Sequence, residues 1–247
     1  MLLKPESKMA RLTDFKVLAF DVYGTLIDWE TGMITNLQPL LNDNNADFSR
    51  EKLLDVIHEC ERAQQQATPA SQYHEILTAI HPQIAEKLGL RKPSSEQSKA
   101  FGLSVGSWPA FPDTVDALKR LSKHYKLVIL SNVDRESFAG SNQGPLEGIK
   151  FDLIITAQDV GSYKPDLRNF RYLLKEVDQK FGVSKDEVLQ TAQSQYHDHR
   201  PAKETGIRSS WIVRPGAIMG NRASPIYDWK FDTLGDMAAA LEDELQS

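Results

Sequence analysis

The chain has 247 residues, of which 40% are hydrophobic and 26% are charged. This length and composition are typical of a globular protein with a buried core, built as one large domain or as a core with a smaller insert. The formal charge of -5 has no compensating basic stripe, which argues against a nucleic-acid surface and favours small ligands as partners.

The cysteine content and the N-terminus bear on the cellular compartment. Cys60 is the single cysteine, so the chain cannot form an internal disulfide and is compatible with a reducing compartment. No stretch has the length and apolarity of a signal peptide or of a membrane span. We therefore expect a cytoplasmic protein that binds no membrane, with a flexible N-terminal tail over residues 1–14.

The first predicted strand is the apolar run from Val17 to Phe20, which ends at Asp21. Such a run is typical of a strand that is covered on both faces in a parallel sheet. Ligands of open α/β sheets bind beyond the carboxyl ends of the strands, so Asp21 faces a potential site. Gly24 supplies a turn, and Thr25 places a hydroxyl four residues from Asp21. On these residues alone, Asp21 could equally cap that turn.

A helical pattern replaces the strand pattern for about eighty residues after Leu26. Two stretches repeat apolar residues at helical spacing: Leu53, Ile57 and Cys60, then Tyr73, Ile76, Leu77 and Ile80. We expect Pro82 to interrupt the second helix. Polar breaks at 42–45 and 92–95 separate the helices. A helical insert at this point of the chain predicts a cap over the crevice at the strand ends.

Strands and helices alternate after the insert. The predicted strands cover 126–130, 153–156, 188–192 and 210–213, with amphipathic helices between them and a closing helix after Thr233. Three of these strands are followed by polar residues that could carry chemistry, namely Ser131 with Asn132, then Lys164, then Asp198. In isolation, the Ser–Asn pair could satisfy turn backbone and Lys164 could be solvated.

Two histidines flank Asp198 and suggest a metal site, but the spacing is unfavourable. His197, Asp198 and His199 are consecutive, so they cannot all converge on one ion without a specially built loop. We expect no metal site here, and we expect the histidines at the rim of the site or behind its reactive groups.

The residues Asp-Val-Tyr-Gly-Thr-Leu at 21–26 resemble the first motif of the haloacid dehalogenase (HAD) superfamily. Ser131, Asn132 and Lys164 fall where its second and third motifs stand. The resemblance implies that Asp21 is a nucleophile, that Lys164 keeps it ionised and aimed, and that the Ser–Asn pair holds the anionic end of the substrate. With the strand pattern, it implies a Rossmann-like three-layer α/β core.

The predicted domain organisation follows from this core. A parallel sheet and its helices cover residues 15–29 and 108–247, and a helical cap domain, inserted after the first strand, covers residues 30–107.

Two positions separate the branches of the superfamily. Its phosphatases carry a second Asp two residues after the nucleophile, which protonates the leaving alcohol. This chain has Tyr23 there, as L-2-haloacid dehalogenases do. The fourth motif of the phosphatases carries two acids, and here Gln193 replaces the first while Asp198 keeps the second. Because Mg²⁺ prefers several oxygen ligands, carboxylates above all, the resemblance implies an enzyme without metal or cofactor.

The chemistry of the leaving group points in the same direction. A carbon–halogen bond expels a halide that needs no proton, so attack on a 2-haloacid tolerates the loss of the general acid. The resemblance therefore implies a 2-haloacid dehalogenase-like hydrolase with an aspartyl-ester intermediate and a small anionic substrate, and it leaves a homodimer open. The implied site has the catalytic residues Asp21, Lys164 and Asp198 and the substrate-binding residues Tyr23, Thr25, Ser131, Asn132 and Gln195.

Three departures from those dehalogenases leave alternatives. Phe170 stands where they have a Tyr, and Gln195 stands where they have an Asn. The cap arginine that contacts their substrate is not assigned to Arg50 or to Arg62. The alternatives are a Mg²⁺-dependent small-molecule phosphatase and a non-catalytic binding protein on the same scaffold.

Overall fold

A computed structural model describes residues 10–69, 71–221 and 223–247. Its centre is a six-stranded sheet in which every neighbouring pair is parallel, with the order β3-β2-β1-β4-β5-β6. The strands are β1 (Val17–Phe20), β2 (Lys126–Ser131), β3 (Leu153–Thr156), β4 (Val188–Ala192), β5 (Arg208–Ile212) and β6 (Trp229–Phe231).

Helices cover both faces of the sheet and make the predicted three layers. Leu18 and Phe20 of β1 face one layer, which contains α5 (Thr114–Leu121) and α10 (Leu234–Gln246). Val17 and Ala19 face the other layer, with α8 (Leu167–Phe181) and α9 (Arg200–Thr205). Successive residues of a strand point to opposite faces, so the apolar run of β1 is buried on both sides. The predicted α/β fold is confirmed.

Within the described residues, four α-helices and a 3₁₀ helix (Ser104–Ser107) lie between β1 and α5, where the cap was predicted. The four α-helices are α1 (Trp29–Asp43), α2 (Arg50–Ala67), α3 (Tyr73–Lys87) and α4 (Ser95–Leu103). The boundaries of the cap at residues 30 and 107 stay a prediction. Two short helices, α6 (Arg135–Gln143) and α7 (Ala157–Val160), follow β2 and β3.

The predicted interruption at Pro82 is wrong, because α3 runs through this residue to Lys87. Proline removes one backbone donor and crowds the preceding turn. The helix keeps its course because Ile76, Ile80 and Ile84 on the same face are completely buried. Burial of that face outweighs the loss of one hydrogen bond.

The sixth strand was missed by the sequence analysis. It has three residues, and all three keep part of their surface exposed. It pairs with β5 at the edge of the sheet. A strand this short has too few residues to show an alternating pattern, so only its pairing with β5 reveals it.

Residues 10–14, predicted as part of a flexible tail, are ordered against the closing helix, and this part of the prediction is wrong. Leu12 is 1% exposed and belongs to the main core. The Arg11 side chain donates to the Glu244 carbonyl oxygen at 2.6 Å, and the Tyr125 hydroxyl donates to the Leu12 carbonyl oxygen at 3.0 Å. The burial of Leu12 and the hydrogen bonds of residues 11 and 12 hold residues 10–14 in place. Residues 1–9 lie outside the described residues.

None of the helices in the described part of the chain combines the length and the apolarity needed to cross a membrane.

The packing of the N-terminal segment makes a stability prediction. We expect Leu12→Ala to lower the free energy of unfolding by about 3 kcal/mol, because it removes buried methyl groups and leaves a cavity. Urea denaturation measures this change. The control is Leu103→Ala, at a leucine that is 52% exposed, for which we expect a change within about 0.5 kcal/mol. Equal effects of the two substitutions would contradict the packing of Leu12.

Candidate active site

The carboxyl ends of the central strands bring Asp21, Lys164 and Asp198 together. Asp21 follows β1, Lys164 lies in the loop between α7 and α8, and Asp198 lies in a helical turn (Gln195–His199) after β4. The Lys164 ammonium donates to Asp21 Oδ1 at 2.9 Å, to Asp198 Oδ1 at 2.8 Å and to the Leu130 carbonyl oxygen at 2.9 Å. An ammonium has three N–H groups, so all of its donors are used.

All three side chains are buried, which makes their charges interdependent. Lys164 is 2% exposed and Asp198 is 0% exposed. Burial by itself lowers the pKa of Lys164, but Asp198 and Asp21 outweigh burial and raise that pKa above its ordinary value. Burial raises the pKa of Asp198 to about 7 against the opposing effect of Lys164. Lys164 is therefore a fixed positive charge between two acids.

The second oxygen of Asp21 is also held. Thr25 donates its hydroxyl to Asp21 Oδ2 at 2.7 Å, and the backbone N–H of Gln193 donates to Thr25 Oγ1 at 2.9 Å. The turn that allows this contact passes through Gly24, whose φ of 98° lies in the region that favours glycine. Asp21 is thus fixed through both oxygens, while 7% of its surface stays exposed.

Asn132 holds the backbone of Lys164. Its amide nitrogen donates to the Lys164 carbonyl oxygen at 3.0 Å, and its amide oxygen accepts from the Lys164 backbone N–H at 2.6 Å. The neighbouring Ser131 hydroxyl is buried and has no partner within the described residues. A buried hydroxyl without a partner is unusual, so Ser131 is free to bind a ligand.

Tyr23 and Gln195, which were predicted to contact substrate, have protein partners in this structure. The Tyr23 hydroxyl pairs with Ser141 Oγ at 2.8 Å, and its ring packs edge-on against Trp108 at 5.7 Å. Burial raises the pKa of Tyr23 above its ordinary value, so the phenol stays protonated. The Gln195 amide oxygen accepts from the Ile226 N–H at 2.7 Å. The roles of both residues in substrate binding stay predictions.

Two glutamines of the site were missed as functional residues. Gln190 donates its amide to Asp198 Oδ1 at 2.9 Å, next to the Lys164 contact. Its signal in the sequence is a polar residue within the buried strand β4. Gln193 donates its side-chain amide to the Met219 carbonyl oxygen at 2.8 Å. No pattern in the sequence predicts the contact between Gln193 and Met219, because it joins positions far apart in the chain.

The two histidines differ in their surroundings. His199 is completely buried, and its Nε2 donates to the Ala192 carbonyl oxygen at 2.9 Å while its Nδ1 pairs with Ser209. Burial lowers the pKa of His199 to about 4, so the ring is neutral at pH 7. His197 keeps part of its surface exposed and pairs through Nδ1 with Ser194 at 3.1 Å. Burial and Lys164 lower the pKa of His197 to about 4.

Comparison with known proteins supplies the family. The profile of haloacid dehalogenase-like hydrolases matches residues 15–189 of the chain. The chain belongs to this family. The family predicted from the motifs is therefore confirmed, and the protein is a hydrolase of the HAD superfamily by membership.

Solved structures with the same fold include dehalogenases. A defluorinating L-2-haloacid dehalogenase has 20% identity and a TM-score of 0.75 over 92% of this chain and 95% of its own. The L-2-haloacid dehalogenase from Xanthobacter autotrophicus, with chloropropionic acid covalently bound, has 17% identity and a TM-score of 0.74 over 92% and 98%. A putative HAD hydrolase from Bacillus subtilis, bound to magnesium, has 16% identity and a TM-score of 0.72 over 92% and 99%. At these identities the likeness concerns the fold alone.

A relative by sequence carries a different activity. The chain is 26% identical over 147 residues to a phosphoserine phosphatase from Thermus thermophilus. The match covers 58% of this chain and 56% of that relative, so the chain spans little more than half of its length.

The donor set of this site does not fit the magnesium ion of HAD phosphatases. Lys164 occupies Oδ1 of both Asp21 and Asp198, and the Gln193 amide is turned toward Met219. Within residues 10–69, 71–221 and 223–247, no group of three or more His, Cys, Asp or Glu side chains is arranged to hold a metal ion. A hard cation needs several oxygen ligands, and of the four carboxylate oxygens of Asp21 and Asp198 three already have partners in the described structure.

The structure also places the departures from the dehalogenases. Phe170 is completely buried in the core beneath the sheet. The Arg50 guanidinium pairs with Glu30 at 2.9 Å. Arg62 is exposed on α2.

The buried lysine makes a prediction on pH dependence. In Lys164→Met, Asp21 and Asp198 lose the cation between them, so burial favours their protonated forms in the folded state. Above about pH 4 the folded state then keeps protons that the unfolded state releases. Because the folded state then holds more protons, stability falls as pH rises. Between pH 5 and pH 8 we expect the free energy of unfolding to fall by about 2 kcal/mol more than in the wild type.

Urea denaturation at the two pH values measures this difference. The matched control is Lys175→Met on the exposed face of α8, which should follow the wild-type pH dependence. A parallel pH dependence of Lys164→Met and the wild type would contradict the coupling of Lys164 to the acids.

Proposed function

We propose that the protein is a metal-independent hydrolase that uses Asp21 as nucleophile and acts on 2-haloacids. The observation that carries this proposal is the bridge from Lys164 to Asp21 and Asp198, which places a protein cation between the two acids of the site. The cation orients the carboxylate of the nucleophile and balances its charge without a metal ion. Tyr23 stands two residues after the nucleophile, and burial raises the pKa of its phenol, which therefore stays protonated.

The first step is displacement of the halide. One oxygen of the Asp21 carboxylate attacks C2 of the 2-haloacid, the new C–O bond forms, and the halide leaves with the bonding electrons. The halide needs no proton, so the step requires no general acid. Lys164 and Thr25 hold the carboxylate in position for attack. Ser131, with its unpaired hydroxyl, and the Asn132 amide are suited to bind the carboxylate of the substrate.

The second step is hydrolysis of the Asp21 ester. Water adds to the ester carbonyl carbon, and cleavage of the C–O bond releases the 2-hydroxyacid and one proton and restores the Asp21 carboxylate. Asp198 Oδ2 has no partner within the described residues, and burial raises the pKa of this group to about 7. A carboxylate with that pKa is suited to accept the proton of the attacking water.

A second candidate is a Mg²⁺-dependent phosphatase. The partial match to the Thermus phosphoserine phosphatase favours it. The reaction expels an alkoxide that must be protonated, and the high pKa of Tyr23 makes this phenol a poor acid near pH 7. Among the residues that the structure describes, no third acid joins Asp21 and Asp198 in a group suited to a metal ion, which also weakens this candidate.

Paired assays separate the two candidates. We expect halide release from 2-chloropropionate that is unchanged by EDTA, because Lys164 is part of the chain and is not removed by chelation. Ion chromatography measures the halide, and release of p-nitrophenol from p-nitrophenyl phosphate, with and without Mg²⁺, measures phosphatase activity. Phosphatase activity that is lost with EDTA and recovered with Mg²⁺ would establish the second candidate instead.

The role of Asp198 is tested separately. In Asp198→Asn the amide oxygen can still accept from Lys164 and Gln190, so Asp21 should still attack while the base is lost. We expect a halide burst of about one per site, little turnover, and an ester on the peptide that contains Asp21. Mass spectrometry detects this adduct. The control Asp21→Asn should show neither burst nor adduct, and steady turnover of Asp198→Asn without ester would contradict the role as base.

A further inference from the structure

Glu30 is a buried acid that neither the proposed mechanism nor the predicted site includes. It lies in the first turn of α1, its side chain is 4% exposed, and its two oxygens have different partners. Oε1 accepts the backbone N–H groups of Ile218 and Met219, each at 2.9 Å. Oε2 accepts from the Arg50 guanidinium on α2 at 2.9 Å.

The two N–H groups belong to a segment that we call the strap, residues 216–221. It lies after β5, between Gly216 with a φ of 94° and Gly220 with a φ of 85°. Two glycines in the left-handed region leave the segment with little intrinsic preference for one conformation. Hydrogen bonds from two adjacent N–H groups to one carboxylate oxygen are charge-assisted and therefore strong. Glu30 is thus the group that fixes the middle of the strap.

The strap in turn fixes Gln193. The Met219 carbonyl oxygen accepts from the Gln193 side-chain amide at 2.8 Å. Gly220 approaches the same side chain so closely that an added Cβ would lie 2.1 Å from Gln193 Oε1. The backbone N–H of Gln193 donates to Thr25, which donates to Asp21 Oδ2 at 2.7 Å. A continuous series of hydrogen bonds therefore runs from Glu30 to the nucleophile.

From this geometry we infer that Glu30 is a positioning residue for Asp21, acting through the strap, Gln193 and Thr25. The inference rests on the proposed nucleophile. Loss of the Glu30 contacts frees the strap, relaxes Gln193 and lets the Asp21 carboxylate rotate away from its line of attack. An error of about 1 Å in such alignment costs about 100-fold in rate. Binding of the substrate carboxylate by Ser131 and Asn132 is spared, because neither residue takes part in the series.

The kinetic test compares Glu30→Ala with the conservative Glu30→Gln. We expect Glu30→Ala to slow the halide burst about 10- to 100-fold while KM stays within about 2-fold, since alignment and not binding is lost. Glu30→Gln keeps an oxygen that accepts both N–H groups, so its burst should stay within about 3-fold of the wild type. Arg50→Ala is the matched control, because it removes the partner of Oε2 and leaves the strap contacts intact. The halide burst of Arg50→Ala should stay within about 3-fold of the wild type.

A double-substitution cycle separates positioning from loss of stability. Gln193→Leu breaks the series at its next link, so we expect it to slow the burst as Glu30→Ala does. The two substitutions together should slow the burst no more than either alone, because both act through one series. Independent effects that multiply in the double variant would overturn the inference, as would a Glu30→Ala enzyme that changes KM and not kcat.

A readout without substrate keeps the inference separate from the proposed reaction. Hydrogen exchange of the Gln193 backbone amide, followed by NMR, should become about 10-fold faster in Glu30→Ala and stay unchanged in Glu30→Gln and Arg50→Ala. If the wild type releases no halide, the proposed function fails, and the exchange rates still test the positioning. If the wild type is active and Gln193 exchanges equally fast in all variants, the positioning fails and the proposed function stands.

Discussion

The site depends on one buried cation. Taking an ammonium out of water is costly by several kcal/mol, and the cost is offset only by close opposite charges and satisfied donors. Lys164 meets both conditions with two carboxylates and one carbonyl oxygen within 2.9 Å. The three acceptors come from three different segments of the chain. The strand order therefore has to place the ends of β1, β2 and β4 side by side, and the sheet does so with β1 between the other two.

The neutral side chains around Lys164 restrict the motion of the site residues and add no charge to the site. Asn132 holds the backbone of the lysine, Gln190 holds the acid behind it, and Thr25 holds the second oxygen of Asp21. Nearly every polar atom near the centre is thus committed to a protein partner. The exceptions include the Ser131 hydroxyl and Asp198 Oδ2, which are suited to different steps of the proposed reaction, one toward the substrate and one toward water. Unsatisfied buried groups are rare in folded proteins, and they mark places where a ligand completes the site.

The same core can support chemistry with a metal ion or without it, and the difference lies in a few side chains. A neutral amide at Gln193 and a phenol at Tyr23 stand where the phosphatases of the superfamily carry acids. The Gln193 amide nitrogen donates to the Met219 carbonyl oxygen of the strap. Glu30 accepts from the backbone of the strap and at the same time binds Arg50 of α2. The conformation of the Gln193 side chain thus depends on the packing of a distant loop as well as on the identity of residue 193.

The sequence by itself determined the layout of the core and the residues at its centre. The apolar run before Asp21 and the spaced strands after residue 126 predicted a parallel sheet, and the resemblance of its motifs to the HAD superfamily predicted Asp21, Lys164 and Asp198 as its catalytic residues. These features are local, since each depends on residues within a few positions of one another. Only the tertiary structure decided the hydrogen-bond partners of Gln193, Gln195 and Glu30. It also decided the packing of residues 10–14 and the continuation of α3 through Pro82. Each of these depends on contacts between segments far apart in the chain, for which a local pattern carries no signal.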